Sequence, residues 1–136
     1  MDIYAYDYIL EGLKAHNEKA KNNYGNAVVS RPTTDTKYPF TVLTEVTNTQ
    51  NPRYNTPHER VANVSYRVDV FAKDKGTKVD KQTIAREISI IVDEYLTNIG
   101  LFRSSMNVVN LRNDASIYRI SLTYEGSLFE NRRTFL

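Results

Sequence analysis

The chain contains no cysteine, no tryptophan and only two histidines among its 136 residues. Without cysteine it has no disulfide, no thiolate metal ligand and no cysteine nucleophile. The absence also fits assembly in a reducing cytoplasm. Neither His16 nor His58 has neighbours at metal-ligand spacing, so we expect no metal site.

No sign of charge dominates, because 18 lysines and arginines face 16 acidic residues and leave a formal net charge of +2. A net charge this small gives too weak a positive potential to bind a polyanion, such as nucleic acid, independently of its sequence. No apolar run approaches the roughly 20 residues of a membrane helix, so we expect a soluble protein with no membrane partner. Asp2 and Asp7, without a basic cluster, argue against a secretory signal.

The patterns of known catalytic sites are also missing. The Lys75-Gly76-Thr77 turn lacks the strand and glycines of a phosphate loop, and no serine lies in a nucleophile elbow. Asp93 and Glu94 are typical of a solvated helix surface rather than of a general acid and base in a cleft. We therefore expect no enzyme, no catalytic residues and no cofactor.

Residues 59–72 carry the most informative pattern, an alternation of apolar and polar side chains with the period of a strand. Val61 and Phe71 are apolar but lie on the polar face. The predicted strand is also longer than a small sheet usually requires. Ten tyrosines in the chain suit either a core edge or a surface buried on assembly. The expected core positions are Ala62, Val64, Tyr66, Val68, Val70 and Ala72.

Helical and strand periodicities predict two helices and a set of strands. Asp80 is placed to cap the second helix and Gly100 to end it, while Gly12 slightly weakens the first. Asn113 and Asp114 form the expected turn of the last hairpin. The helices span residues 2–19 and 80–99, and the strands span residues 27–31, 38–46, 59–72, 102–112 and 115–126.

These elements predict an α+β fold in which an antiparallel sheet of about four main strands has two helices packed on one face. The other sheet face stays uncovered in the monomer, which antiparallel sheets tolerate. Residues 1–126 form the single domain, and residues 127–136 form a C-terminal tail that orders on assembly. The polar connection at residues 47–58 is long enough to contact partners.

The segments Tyr-Pro-Phe-Thr-Val-Leu at residues 38–43 and Tyr-Arg-Val-Asp-Val-Phe-Ala at residues 66–72 carry a family resemblance. With the element order up to Gly126, they resemble the small tail terminator proteins of long-tailed bacteriophages, also called tail completion or head-to-tail joining proteins. The resemblance implies a structural virion protein, assembled in the host cytoplasm, that forms a hexameric ring on the head-proximal end of the tail tube and stops tube growth. Implied partners are copies of itself, the tail tube protein and the head connector or stopper protein, while genomic DNA passes through the ring without specific recognition.

A closed ring needs two different matching patches on each subunit. We expect one patch on the uncovered sheet face and one on the polar loop, with the C-terminal tail contacting the tube or the head connector. The sheet-face residues are Arg67, Asp69, Phe71 and Arg119; the loop residues are Arg53 and Tyr54; the tail residues are Arg132, Arg133 and Phe135.

Two alternatives stay open. Other small components of the same virion, such as a head completion or stopper protein or a tail-tube relative, share small α+β designs. The third alternative is a single-strand nucleic-acid-binding domain that uses a basic and aromatic surface. Its residues are Arg53, Tyr54, Arg67, Lys73, Lys75, Lys78, Arg112 and Arg119. That alternative predicts binding that weakens steeply with salt.

Overall fold

The computed structural model of this chain describes residues 6–19, 27–31, 38–50, 61–73, 80–109, 116–129 and 134–135. Five strands follow one another across the sheet in the order β1-β2-β3-β5-β4, and β6 pairs with β5 off this path. In chain order the elements are α1 (Tyr6–Lys19), β1 (Ala27–Val29), β2 (Phe40–Gln50), β3 (Val61–Ala72), α2 (Lys81–Asn98), β4 (Phe102–Val109), β5 (Tyr118–Phe129) and β6 (Thr134–Phe135).

The α+β class with two helices is confirmed, but the sheet is mixed rather than purely antiparallel. Strands β2, β3, β5 and β4 pair antiparallel, as predicted. Strand β1 pairs with β2 in parallel, with Ala27 opposite Phe40.

Strand β3 lies in the middle of the sheet, and its predicted core face is confirmed, because all six expected positions are buried. They share one hydrophobic core with residues from both helices, such as Leu13 of α1 and Ile88 of α2. The Tyr6 hydroxyl donates to the carbonyl of Leu43 and ties α1 to β2. Both helices therefore pack on the same face of the sheet.

Helix α2 begins and ends where the sequence predicts. A side-chain oxygen of Asp80 accepts a hydrogen bond from the backbone N–H of Thr83 at 2.8 Å, and this bond holds the pKa of Asp80 below its ordinary value. Gly100 has a φ of 109°, a left-handed conformation suited to glycine. The N–H of Leu101 then donates to the carbonyl of Leu96 at 3.1 Å and closes the helix.

Two strands run further than predicted. Strand β2 continues past Val46 to Gln50, because a bulge between Glu45 and Thr47 shifts the register and restores pairing with β3. Strand β5 continues past Gly126 to Phe129, because β3 offers ladder partners as far as Val61. Residues 47–50 are therefore strand rather than loop, and residues 127–129 belong to the sheet rather than to a tail.

Several predictions fall on residues outside the described ranges. These are the first four residues of the predicted α1, most of the 47–58 loop and the Asn113-Asp114 turn. Neither described helix combines the length and the apolar character needed to cross a membrane.

Candidate functional site

The sheet face opposite the helices, called the open face below, brings together four of the predicted interface residues. Arg67, Asp69 and Phe71 lie on β3, and Arg119 lies on β5 directly opposite Phe71. They alternate along their strands with buried core residues such as Val68 and Ile120, so their side chains share the other face. The sequence alternation placed these residues on the correct side of the sheet.

Asp69 is the centre of an ion cluster on the open face and is only 4% exposed. Its Oδ1 accepts hydrogen bonds from Arg119 Nε at 3.1 Å and Nη2 at 2.9 Å, and its Oδ2 accepts one from Arg67 Nε at 3.2 Å. A buried carboxylate bonded at both oxygens is satisfied within its own chain. Two arginines on one carboxylate leave one net positive charge, and the side chain of Arg67, 45% exposed, presents it to solvent.

Aromatic rings extend this cluster across the sheet. The Cζ of Arg119 lies 5.4 Å from the centroid of the Phe71 ring, a distance at which a cation and a ring attract. Phe71 stacks on Phe40 with centroids 4.9 Å apart and planes 20° apart. Phe40 is buried and Phe71 is half-buried, so these rings cover the sheet rather than project from it.

The rest of the open face consists mainly of small polar side chains. Thr47 and Ser65 share a hydrogen bond of 2.9 Å between their hydroxyls, and Ser127 Oγ donates to Asn63 Oδ1 at 3.4 Å. Phe102 of β4, 55% exposed, and the exposed Glu125 of β5, which lies opposite it, add an aromatic ring and an acidic group to this face. Further members of this surface are Thr44, Ser121 and Thr123.

The other predicted interface residues are not assembled with this cluster in the described part of the chain. Arg53, Tyr54, Arg132 and Arg133 lie outside the described ranges. Phe135 belongs to β6, where it pairs with Leu128 of β5. The predicted loop and tail patches therefore stay predictions.

A second surface, which sequence reasoning missed, lies between α2 and β4 at one end of the sheet. We call it the α2–β4 groove, and its volume is about 340 Å³. Ile90 and Met106 are each more than half exposed there, although they are large and apolar. Two features of the sequence could have predicted this groove. Apolar residues lie on the helix side of β4, and Ile90 lies outside the core stripe of α2. The groove is lined by Arg86, Ser89, Ile90, Asp93, Arg103, Met106 and Ile120.

A polar triplet closes one side of the groove. The buried Tyr124 hydroxyl donates to Asp93 Oδ1 at 2.7 Å, and Arg103 Nη1 lies 3.4 Å from the same oxygen. Burial, and next the hydrogen bond to Asp93, raise the pKa of Tyr124 far above its ordinary value. The phenol therefore keeps its proton and holds Asp93 in place, and it supplies no general base.

Replacing Tyr124 by Phe should lower the free energy of unfolding by about 1–2 kcal/mol, because a hydrogen bond to a charged acceptor is lost. Chemical denaturation would measure the change through the midpoint at constant slope. Tyr118→Phe, on the same face of β5, is the matched control and should change stability less. Equal losses in the two variants would contradict the assigned role of the Tyr124–Asp93 bond.

The same residue predicts a pH dependence. Because the pKa of Tyr124 is raised in the folded state, its contribution is fully present below the ordinary tyrosine pKa of about 10 and is lost as the pH rises above that value. We expect the wild-type midpoint to fall progressively as the pH rises above about 10, the ordinary tyrosine value. Tyr124→Phe should flatten part of this fall; parallel curves for the two proteins would contradict the linkage.

His16 lies between α1 and α2, beside Tyr95 and Glu94. Its ring stacks on Tyr95 with centroids 5.6 Å apart, and its Nε2 lies 3.7 Å from Glu94 Oε2. Across the residues that the structure describes, no three histidine, aspartate or glutamate side chains are grouped to hold a metal ion.

No protein-family model matches the chain, and no curated protein matches it either.

Proposed function

We propose that this chain is the tail terminator subunit of a long-tailed bacteriophage, a structural protein that forms a ring on the tail tube and offers the head-docking surface. One observation carries the proposal: both helices pack on one face of a sheet with 12-residue strands, and the other face presents the side chain of Arg67, which is 45% exposed. A subunit that stacks between neighbours needs such a surface. A self-contained domain of this size does not.

The proposed role is non-enzymatic. The most connected polar groups of the described chain hold the fold together: Asp69 is bonded to two arginines and Asp93 to Tyr124. Neither arrangement offers a free nucleophile beside a base, as a catalytic site requires. These contacts support a protein that acts through its surfaces.

The decisive experiment measures the absolute mass of the purified protein by size-exclusion chromatography with light scattering. It is run at low and high protein concentration, with and without purified tail tubes. A six-subunit species, or a smaller species that sediments with tube ends, is the expected result. A monomer that ignores the tubes would overturn the proposal and favour the head completion or stopper alternative.

The open face yields a direct prediction. Arg67→Glu should reduce ring mass or tube binding, because it replaces the exposed positive charge of this face by a negative one beside Asp69. Light scattering and co-sedimentation measure the two outcomes. Lys81→Glu, the same charge change on the helix side, is the control and should leave both unchanged. If Arg67→Glu folds and assembles like wild type, the open face is not a docking surface.

Single-strand nucleic-acid binding is the second candidate, and the cation and ring pairs on the sheet favour it. Besides Arg119 over Phe71, Lys73 Nζ lies 4.5 Å from the centroid of the Tyr38 ring. Such a surface would bind short oligonucleotides with an affinity that falls steeply with salt. Binding of that kind, without capping of tail tubes, would replace the terminator proposal.

A further inference from the structure

The α2–β4 groove has the composition of an interface core rather than of an ordinary surface. Ile90 is 67% exposed and Met106 51%, and Val108 of β4, 52% exposed, follows Met106 beyond the lining residues. Methionine and arginine are both enriched where proteins meet, and here Arg86 and Arg103 flank the apolar residues. The strand side of the groove, from Arg103 to Met106, is about 10 Å long at the rise of an extended strand.

The charge of the groove is positive. Asp93 is its one acidic lining residue, and Asp93 Oδ1 already accepts the Tyr124 hydrogen bond and lies 3.4 Å from Arg103. Two arginines against one engaged carboxylate leave a net positive rim around an apolar floor. A fitting partner therefore combines an apolar or aromatic side chain with carboxylates.

Helix α1 of this same chain carries such a surface, which we call the α1 outer stripe: Tyr8, Glu11, Ala15 and Glu18. All four are exposed, and their spacing of three, four and three residues places them on one side of the helix. Tyr8 is 52% exposed. The side chain of Glu11 is 73% exposed and lies 3.6 Å from Lys14 Nζ of the same helix, so Glu18 is the stripe carboxylate on which the charge test rests. The stripe is about 15 Å long at the rise of an α-helix, so it is long enough to span the groove.

The two surfaces lie toward opposite edges of the sheet. Helix α1 packs against α2 and against β1, the first strand in the sheet order, whereas the groove lies between α2 and β4, the last strand. A stripe toward one edge therefore reaches the groove of another copy and not its own. Contacts between unlike patches toward opposite edges repeat head to tail, and they close into a ring when the rotation permits.

We infer that the α2–β4 groove receives the α1 outer stripe of a second copy of this chain, with Tyr8 over the apolar floor and the stripe's carboxylates against the arginine rim. The inference deepens the proposed function, because it names the two lateral surfaces of the ring. Only the closure of this contact into a ring on a tail tube depends on the proposed function. Head-to-tail self-association by itself follows from the two surfaces.

The test uses two charge reversals, Arg86→Glu in the groove and Glu18→Lys in the stripe, in the otherwise intact chain. Each alone places like charges at every contact, so each should weaken self-association at least about tenfold by sedimentation velocity. An equimolar mixture should restore the wild-type mass. In the mixture, alternating copies place opposite charges at every contact, and a six-membered ring accommodates three of each.

Lys81→Glu on the same helix but outside the groove is the charge control, and thermal unfolding checks that each variant is folded. Ile90→Ser serves as a second groove variant that carries no charge, and its largely exposed position tolerates the change. It too should weaken association. Self-association that neither reversal alters, or a wild type that stays monomeric at the highest soluble concentration, would overturn the inference.

The two proposals fail in different ways. If the charge-reversed mixture assembles but wild-type protein does not cap tail tubes, the lateral contact stands and the terminator function falls. If the protein caps tubes as a ring that both reversals leave intact, the function stands and the groove assignment falls. A mixture that stays monomeric, while wild type assembles and each variant is folded, also counts against the assignment.

Discussion

The free energy of unfolding of Asp69→Ala should be about 3 kcal/mol lower than that of wild type, and this is the largest loss that we expect from any single polar residue of this chain. The carboxylate is 4% exposed and binds Arg67 and Arg119 together. Its removal leaves two guanidinium groups side by side, one of them only 24% exposed, without a counter-charge. The expected loss lies at the low end of the range for buried pairs, because Arg67 is partly solvated.

Chemical denaturation of Asp69→Ala, Asp69→Asn and Arg67→Ala measures this effect. Asp69→Asn keeps an acceptor oxygen and should lose less, and Arg67→Ala should lose least, because Arg67 is the more exposed partner. A loss below 1 kcal/mol for Asp69→Ala would mean that the cluster adds little to stability, since one kcal/mol is the ordinary effect of a point mutation.

The expected instability decides how the open face is tested. If Asp69→Ala failed to assemble, the cause could equally be unfolding of the variant or the loss of an interface contact. Arg67 is the informative position, because its guanidinium reaches solvent while the fold depends on it less. Of the four predicted interface residues on the sheet, Asp69 is therefore a supporting residue, and Arg67 is the one placed to touch a partner.

Local sequence signals predicted the elements whose determinants lie close together in the chain. In α2 the cap, the apolar stripe and the left-handed glycine agree, and the helix runs from Lys81 to Asn98 as expected. The alternation of β3 likewise predicted its core face, because each side chain follows the pleat of its own strand.

Features that depend on distant pairing were not predicted. Polar alternation marked Asp69 as a solvent-facing residue, whereas Arg119, 50 residues later in the chain, covers it. The α2–β4 groove exists because β4 is the last strand of the sheet and α2 packs mainly over β3 and β5. The parallel position of β1 also depends on the path between elements, which no local pattern contains.

No local sequence pattern explains why Gly12 lies within α1, where glycine slightly weakens a helix. In the structure, Gly12 lies where α1 passes the Tyr95 ring of α2. A Cβ at this position would lie 1.7 Å from the Tyr95 hydroxyl oxygen and 2.6 Å from Cζ. Glycine therefore allows the two helices to approach closely, and this contact fixes where α1 sits.

Gly12→Ala should lower the free energy of unfolding by about 2 kcal/mol, although alanine alone favours a helix by about 1 kcal/mol over glycine. The clash exceeds this gain, because Tyr95 is partly buried between the helices and must move as a whole ring. In a Tyr95→Ala background the sign should reverse, since only helix propensity then remains. A stabilising Gly12→Ala in the wild-type background would show that Tyr95 swings away freely. Because α1 carries the outer stripe, the single variant should also weaken self-association under conditions where it is fully folded.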